Sequence, residues 1–167
     1  MSSKRKVSVG AFSAFASIAV AALMVITPAR AHHSFASYNM DQVKVLTGVV
    51  TRVNPDANHL QIFFAPMNEE RKNVLRDADN KPIVWAVEMG GSAQAAAEGI
   101  SVNTFPPGTI FSVAMHPLRS GGNAGSRVNP GGMFKCPERM PPAAGKHCDS
   151  VQGSIALGKG PLPEAKT

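Results

Sequence analysis

The sequence predicts a mostly β fold: a small, OB-like five-stranded β-barrel with one short helix and a loop-rich C-terminal extension. Three observations lead there. Short runs rich in β-branched and aromatic residues alternate with polar ones and are divided by turn clusters. One stretch sets good helix formers between a cap and a glycine stop. The order of these pieces, three strands, a short helix, then one or two strands, is that of the OB barrel. Short antiparallel strands with few long helices also favour a barrel over an open α/β sheet.

The first segment is expected to be removed before the fold forms. The chain opens with Lys4, Arg5 and Lys6, continues in an apolar run to Ile26, breaks at Pro28 and reaches Ala29-Arg30-Ala31. A charged head, an apolar middle and an A-x-A end make a secretory signal over residues 1–31. The run approaches the roughly 18–20 residues that cross a bilayer, so an uncleaved anchor is the alternative. Its many small residues and its good cleavage site favour removal. No later run is long and apolar enough to cross a membrane, so the mature chain is expected to be periplasmic or secreted and free of the membrane. Four of the 17 Lys and Arg lie in the signal and none of the 11 acids does, which leaves the mature chain at +2. The high pI of the whole chain is therefore no argument for nucleic-acid binding, which wants a basic face on the domain itself.

The mature chain divides into an N-terminal segment (32–41), a barrel (42–119) and a Gly- and Pro-rich extension (120–167). Residues 43–53, VKVLTGVVTRV, read as a strand with Val43, Val45, Val49 and Val53 on one side and a bulge or bend at Gly48. Asn54-Pro55-Asp56 makes a turn. Residues 60–65, LQIFFA, point Leu60, Ile62 and Phe64 inward. Residues 67–81 are polar and form a long hairpin loop. Residues 83–89, IVWAVEM, give a third strand with Ile83, Trp85, Val87 and Met89 on one face and Glu88 on the other. Ser92 caps a helix over 93–98 that Gly99 stops. Pro106-Pro107-Gly108 turns the chain into a fourth strand at 109–115. Residues 120–132 and 137–145 read as loop, 154–157 as a closing strand, and the tail after Gly158 as disordered. Cys136 and Cys148, the two cysteines, are expected to close a disulfide in an oxidising compartment. Neither C-x-x-C nor C-x-x-C-H is present, and a metal site at Lys146-His147-Cys148 is the lesser reading.

Five pieces together resemble one family, the small exported bacterial proteins of domain of unknown function 6152. They are AHHSF (31–35), LTGVVTRV (46–53), NHLQIFF (58–64), VWAVEMG (84–90) and FPPGTIFSV (105–113). The family pattern has an A-H-H-S-F start, a T-G-x-V strand, an N-P-H segment, a W-x-x-E strand and a P-G turn. His59, Trp85 and Glu88 fall on three of those positions. The chain departs from the pattern in lacking the tryptophan before the N-P-H segment and the proline between Asn58 and His59. Its 67–81 loop is longer, and its last third lies outside the pattern. The resemblance covers about 32–119 and implies a small exported β-domain. It implies no activity, because the family has none assigned.

Cleavage after Ala31 would give His32 a free α-amine beside its own imidazole, two nitrogen donors in one chelate. His33 adds a second ring and His59 a third if the strands bring it close. Such nitrogen-rich sets suit Cu(II) and, less selectively, Zn(II). Neutral imidazole and free amine are within reach near neutral pH, since the ordinary pKa values are about 6.5 and about 7.7–8.0. A mature N-terminal histidine also resembles the start of copper monooxygenases and of some periplasmic copper carriers. Glu88 is a weaker candidate, as ligand or as the group that orients a ligand histidine. The plain alternatives are a solvated terminus, a strand-capping His59 and a solvated Glu88. His116 and His147 read as structural or exposed, Met89 and Met115 as packing residues, and Trp85 as core.

Enzyme readings find little support. There is no G-x-S-x-G, no phosphate-cradling loop and no H-E-x-x-H. One Trp and one Tyr offer little for stacking nucleic-acid bases. The leading expectation is thus a non-enzymatic exported domain that binds copper or zinc through His32, His33, His59 and, more weakly, Glu88. The alternative is an interaction module that holds a periplasmic protein or envelope component through its barrel face or the 67–81 loop.

Overall fold

Strand β1 (Lys44–Asn54) is long enough to pair on both edges, and this closes the fold. It runs antiparallel to β2 (Gln61–Pro66) on one side and to β4 (Ile110–Pro117) on the other. β2 pairs with β3 (Trp85–Glu88), β3 runs parallel to β5 (Ala124–Arg127), and β5 returns antiparallel to β4. The ring β1-β2-β3-β5-β4 is therefore a closed five-stranded barrel with the strand order of the OB fold. Helix α1 (Ser92–Ala97) connects β3 to β4. The computed structural model describes residues 35–129 and 131–167; residues 1–31, expected from the sequence to be a signal segment, and His32 and His33 lie outside the described residues.

Alternation along β2 works as the sequence predicts: Leu60, Ile62 and Phe64 are buried. They meet Val87, Phe111, Val113 and Met115 from the facing strands. The Phe64 and Phe111 rings stand edge to face at 5.1 Å, and Phe105 meets Phe111 at 5.7 Å. Met89 and Met115 do pack in the core, and Trp85 leans on its edge, with the Lys44 ammonium 5.6 Å from the ring. β1 departs from expectation. Its register slips between Val50 and Arg52, so the inward residues are Leu46 and Val50 before the bulge and Val53 after it. One inserted residue reverses which side of a strand faces the core. The expected face of Val43, Val45, Val49 and Val53 is thus corrected. Gly48 is not the bulge. It is the point of closest approach to β2, where a Cβ would stand 2.5 Å from the Phe64 ring.

α1 ends as expected. Gly99 takes a positive φ of 82°, its N–H donates to Ala96 O, and Ile100 N–H donates to Ala95 O. This is the glycine stop in which two otherwise orphaned carbonyls are satisfied. Its start differs: Gly91 holds the cap position, and the Ser92 hydroxyl donates to the Asp56 carbonyl instead.

The fifth barrel strand comes from residues read as loop. Ala124–Arg127 pairs on both edges, whereas Ile155–Leu157 (β7) pairs only with β6 (Met133–Lys135), which extends the sheet alongside β4. Buried Arg127 ties these parts together, with Nη1 2.6 Å from Glu98 at the end of α1 and further bonds to the carbonyls of Gly131 and Leu157. Cys136 and Cys148 form the expected disulfide. The tail is not disordered throughout: Lys166 and Val43 exchange two backbone hydrogen bonds of 2.8 Å. The 67–81 loop is a folded double turn, with Asn68 Oδ1 accepting from Lys72 and Asn73 and Asp77 Oδ1 from Asp79 and Lys81. Among the described residues no helix is long and apolar enough to cross a membrane.

Candidate functional site

Two polar clusters stand on the barrel exterior, each built around a histidine. The first begins at the β1–β2 turn. Asp56 Oδ1 accepts from the N–H groups of Asn58 at 2.8 Å and His59 at 3.1 Å, and these bonds, that of Asn58 first, hold its carboxyl below the ordinary 3.8. The Asp56 carbonyl is fixed in turn by the backbone and hydroxyl of Ser92. The turn is thus clamped to the start of α1, and buried Leu60 anchors its far side through paired backbone bonds with Met89 and Gly90.

His59 therefore projects from a fixed backbone, with its side chain 50% exposed. Register places Gln61 opposite Glu88, and alternation sets His59 on the same outer face. His59 Nδ1 lies 3.4 Å from Glu88 Oε1, and Gln61 Nε2 donates to Glu88 Oε2 at 3.3 Å. Both contacts are longer than a firm hydrogen bond of about 2.7–3.2 Å. With Nδ1–H turned to the carboxylate, His59 Nε2 has no hydrogen-bond partner among the described residues.

A third group reaches the same carboxylate. Tyr38 pairs with Leu118 beside β4, and the strap around it is held by Asn39 N–H to Pro117 O and by Arg119 to the carbonyls of Ala36 and Ser37. Burial, then the charge of Glu88 and a hydrogen bond to it, push the Tyr38 phenol up to about 12. The structure thus brings together two of the four sequence-predicted residues, His59 and Glu88, and adds Tyr38 and Gln61. The sequence carried no signal for Tyr38 beyond its being the one tyrosine, five residues behind His33. His32 and His33 lie outside the described residues. Among the described residues no three His, Cys, Asp or Glu gather as a metal cluster.

The second cluster lies on the β1–β4 wall. Cys148 N–H donates to Ser112 Oγ at 2.8 Å, Ser112 Oγ is 2.7 Å from Thr47 Oγ1, and Thr47 Oγ1 is 2.8 Å from His147 Nδ1. Counting hydrogens gives this chain a direction. Ser112 is buried and accepts from Cys148, so its own hydrogen must go to Thr47, and that of Thr47 to His147. The reverse order would strand a buried hydroxyl hydrogen at a cost of about 1–3 kcal/mol. Nδ1 of His147 is therefore the acceptor, and Nε2 carries the proton. Burial, then the nearby Arg71, lowers the His147 pKa from 6.5 and keeps the ring neutral. His116 is structural, as expected, with Nδ1 2.8 Å from the Gln42 carbonyl.

A family model described as a family of unknown function, DUF6152, matches residues 19–127. No curated protein and no solved structure matches the chain.

Proposed function

The chain belongs to the family of unknown function DUF6152, and on that premise we propose that its mature form is an exported metal-binding domain, with copper its first ion and zinc the second. Cleavage after Ala31 supplies the His32 amine and ring, His33 supplies a second ring, and His59 Nε2 completes the set. Glu88 orients His59 and does not ligate. The observation that carries this reading is the Glu88 carboxylate, which faces His59 Nδ1 and whose charge helps to raise the Tyr38 phenol. A carboxylate behind Nδ1 is the arrangement that fixes a metal-binding imidazole and raises its basicity. Tyr38 follows His33 by only five residues, three of which, Phe35–Ser37, form a 3-10 turn, so a short stretch of sequence separates the histidine pair from the strap beside Glu88. The Cys136–Cys148 bond is in keeping with an oxidising compartment.

The test begins with the exported protein, its first residue established by mass spectrometry, because a retained Met or tag would block the amine. Titration with Cu(II) and Zn(II) is expected to show tighter copper binding. His32→Ala, His33→Ala and His59→Ala are each expected to weaken it. Absence of copper binding by a chain that begins at His32, or binding unchanged in all three variants, would overturn the reading. The second reading, an interaction module, draws on Leu75 and Val84, exposed by 42% and 44% at the 67–81 excursion. It gains if the metal test fails.

A further inference from the structure

The His147 cluster borders a cleft of about 310 Å³ that the metal reading does not use. Arg71 lines it and is 8% exposed, with a left-handed φ of 56°. A non-glycine residue held there stores strain on the order of 1–3 kcal/mol, of the kind that gathers at binding sites. Three contacts fix the guanidinium: Nε to Lys146 O at 2.9 Å, and Nη1 to Asn68 O at 3.0 Å and to Met67 O at 3.5 Å. Nη2 takes no acceptor among the described residues, and it is not sealed from solvent. The neutral His147 offers Nε2–H as a second fixed donor.

Other sides of the cleft differ in chemistry. Glu69 stands on its exposed rim, and Val45, Met67 and Leu75 form an apolar side. Around His147 one cation, Arg71, stands against two carboxylates, Glu69 and Asp149, which disfavours a simple anion and leaves a carboxylate free to meet an ammonium. The volume lies at the small end of the roughly 300–1,000 Å³ usual for ligand pockets.

We propose that this cleft binds a small zwitterion, a free α-amino acid with an apolar side chain. Arg71 Nη2 and His147 Nε2–H take its carboxylate, Glu69 takes its ammonium, and the apolar side takes its side chain. None of its residues is among the proposed metal ligands, so the metal reading and this one can fail independently.

The test uses the whole protein with its disulfide formed and follows the Arg71 Nε–H and His147 ring signals by NMR. L-leucine is the probe, beside 4-methylpentanoate, which lacks the ammonium, and isopentylamine, which lacks the carboxylate. Leucine is expected to shift both signals with a dissociation constant on the order of 1 mM, and each truncated probe to bind at least about tenfold more weakly. Glu69→Gln, an exposed change that leaves the fold alone, is expected to weaken leucine about tenfold and 4-methylpentanoate little. Arg71→Lys, which loses the planar fork, is expected to weaken both acids. The proposal is overturned if leucine moves neither signal, if 4-methylpentanoate binds as well as leucine, or if Glu69→Gln binds leucine unchanged.

Discussion

His59 and His147 use one side chain in opposite ways. His59 sits on a clamped turn, half in solvent, facing a carboxylate through Nδ1. His147 is half-buried over the β1–β4 wall, accepting from a hydroxyl through the same nitrogen. A carboxylate behind the ring fixes its orientation and leaves Nε2 able to donate electrons. A hydroxyl chain behind the ring, with an arginine beside it, keeps it neutral and makes Nε2 a donor of hydrogen. The neighbour, and not the histidine, decides which chemistry is on offer.

The comparison breaks most visibly at the disulfide. Replacing Cys136 and Cys148 together by Ala is expected to cost about 3 kcal/mol for a loop of this size, read from urea unfolding. The donor that heads the His147 chain is the backbone N–H of Cys148, which alanine keeps, so that ring is expected to retain its tautomer while the segment stays in place, and copper titration at the His59 end is unaffected. An unchanged unfolding midpoint would show that the extension holds without its crosslink.

Thr47→Val comes next. It keeps the shape of the side chain but leaves the Ser112 hydrogen and His147 Nδ1 without partners, an expected loss of about 1–3 kcal/mol. A loss near zero would show that the bonds through Thr47 add no net stability to the fold.

Acid separates the two regions. The fold holds His147 below the 6.5 of the unfolded chain, so the unfolded state binds more protons just under that pH. Its contribution to stability is whole above 6.5 and falls as pH drops through the lower folded value. Asp56 contributes fully above 3.8 and loses its contribution only as pH falls through a folded value lower still. Mild acid is therefore expected to weaken protection from hydrogen exchange around His147 while the amides of Asn58 and His59 keep theirs. Simultaneous loss at both would remove the distinction. The smallest expected effect is that of His59→Ala on stability, within about 0.5 kcal/mol, as for exposed positions in general. A larger loss would make His59 a structural residue.

What could be read in advance followed local periodicity. The inward set of β2, the glycine stop of α1 and the cysteine pair were legible because each rests on neighbours in sequence or on residue type. The face of β1 was misread because one bulge between Val50 and Arg52 reverses the alternation, and no residue type announces it. β5 was missed because Ala124-Gly125-Ser126-Arg127 has no strand-forming side chain. It is a strand because β3 and β4 offer it two edges. His59 and Glu88 were named singly, but only the register that sets Gln61 across from Glu88 joins them.

The sequence by itself determined a β-barrel order with one helix, a leader pattern, a crosslink and a short list of nitrogen donors, since these follow from composition, spacing and periods of two or 3.6. Tertiary structure alone decided which groups meet: Tyr38 with Glu88, Thr47 with His147 across 100 residues, and Arg71 with Lys146 across 75. Such meetings depend on strand register and chain closure, where a shift of one residue turns every side chain to the other face, and local sequence carries no term that fixes it.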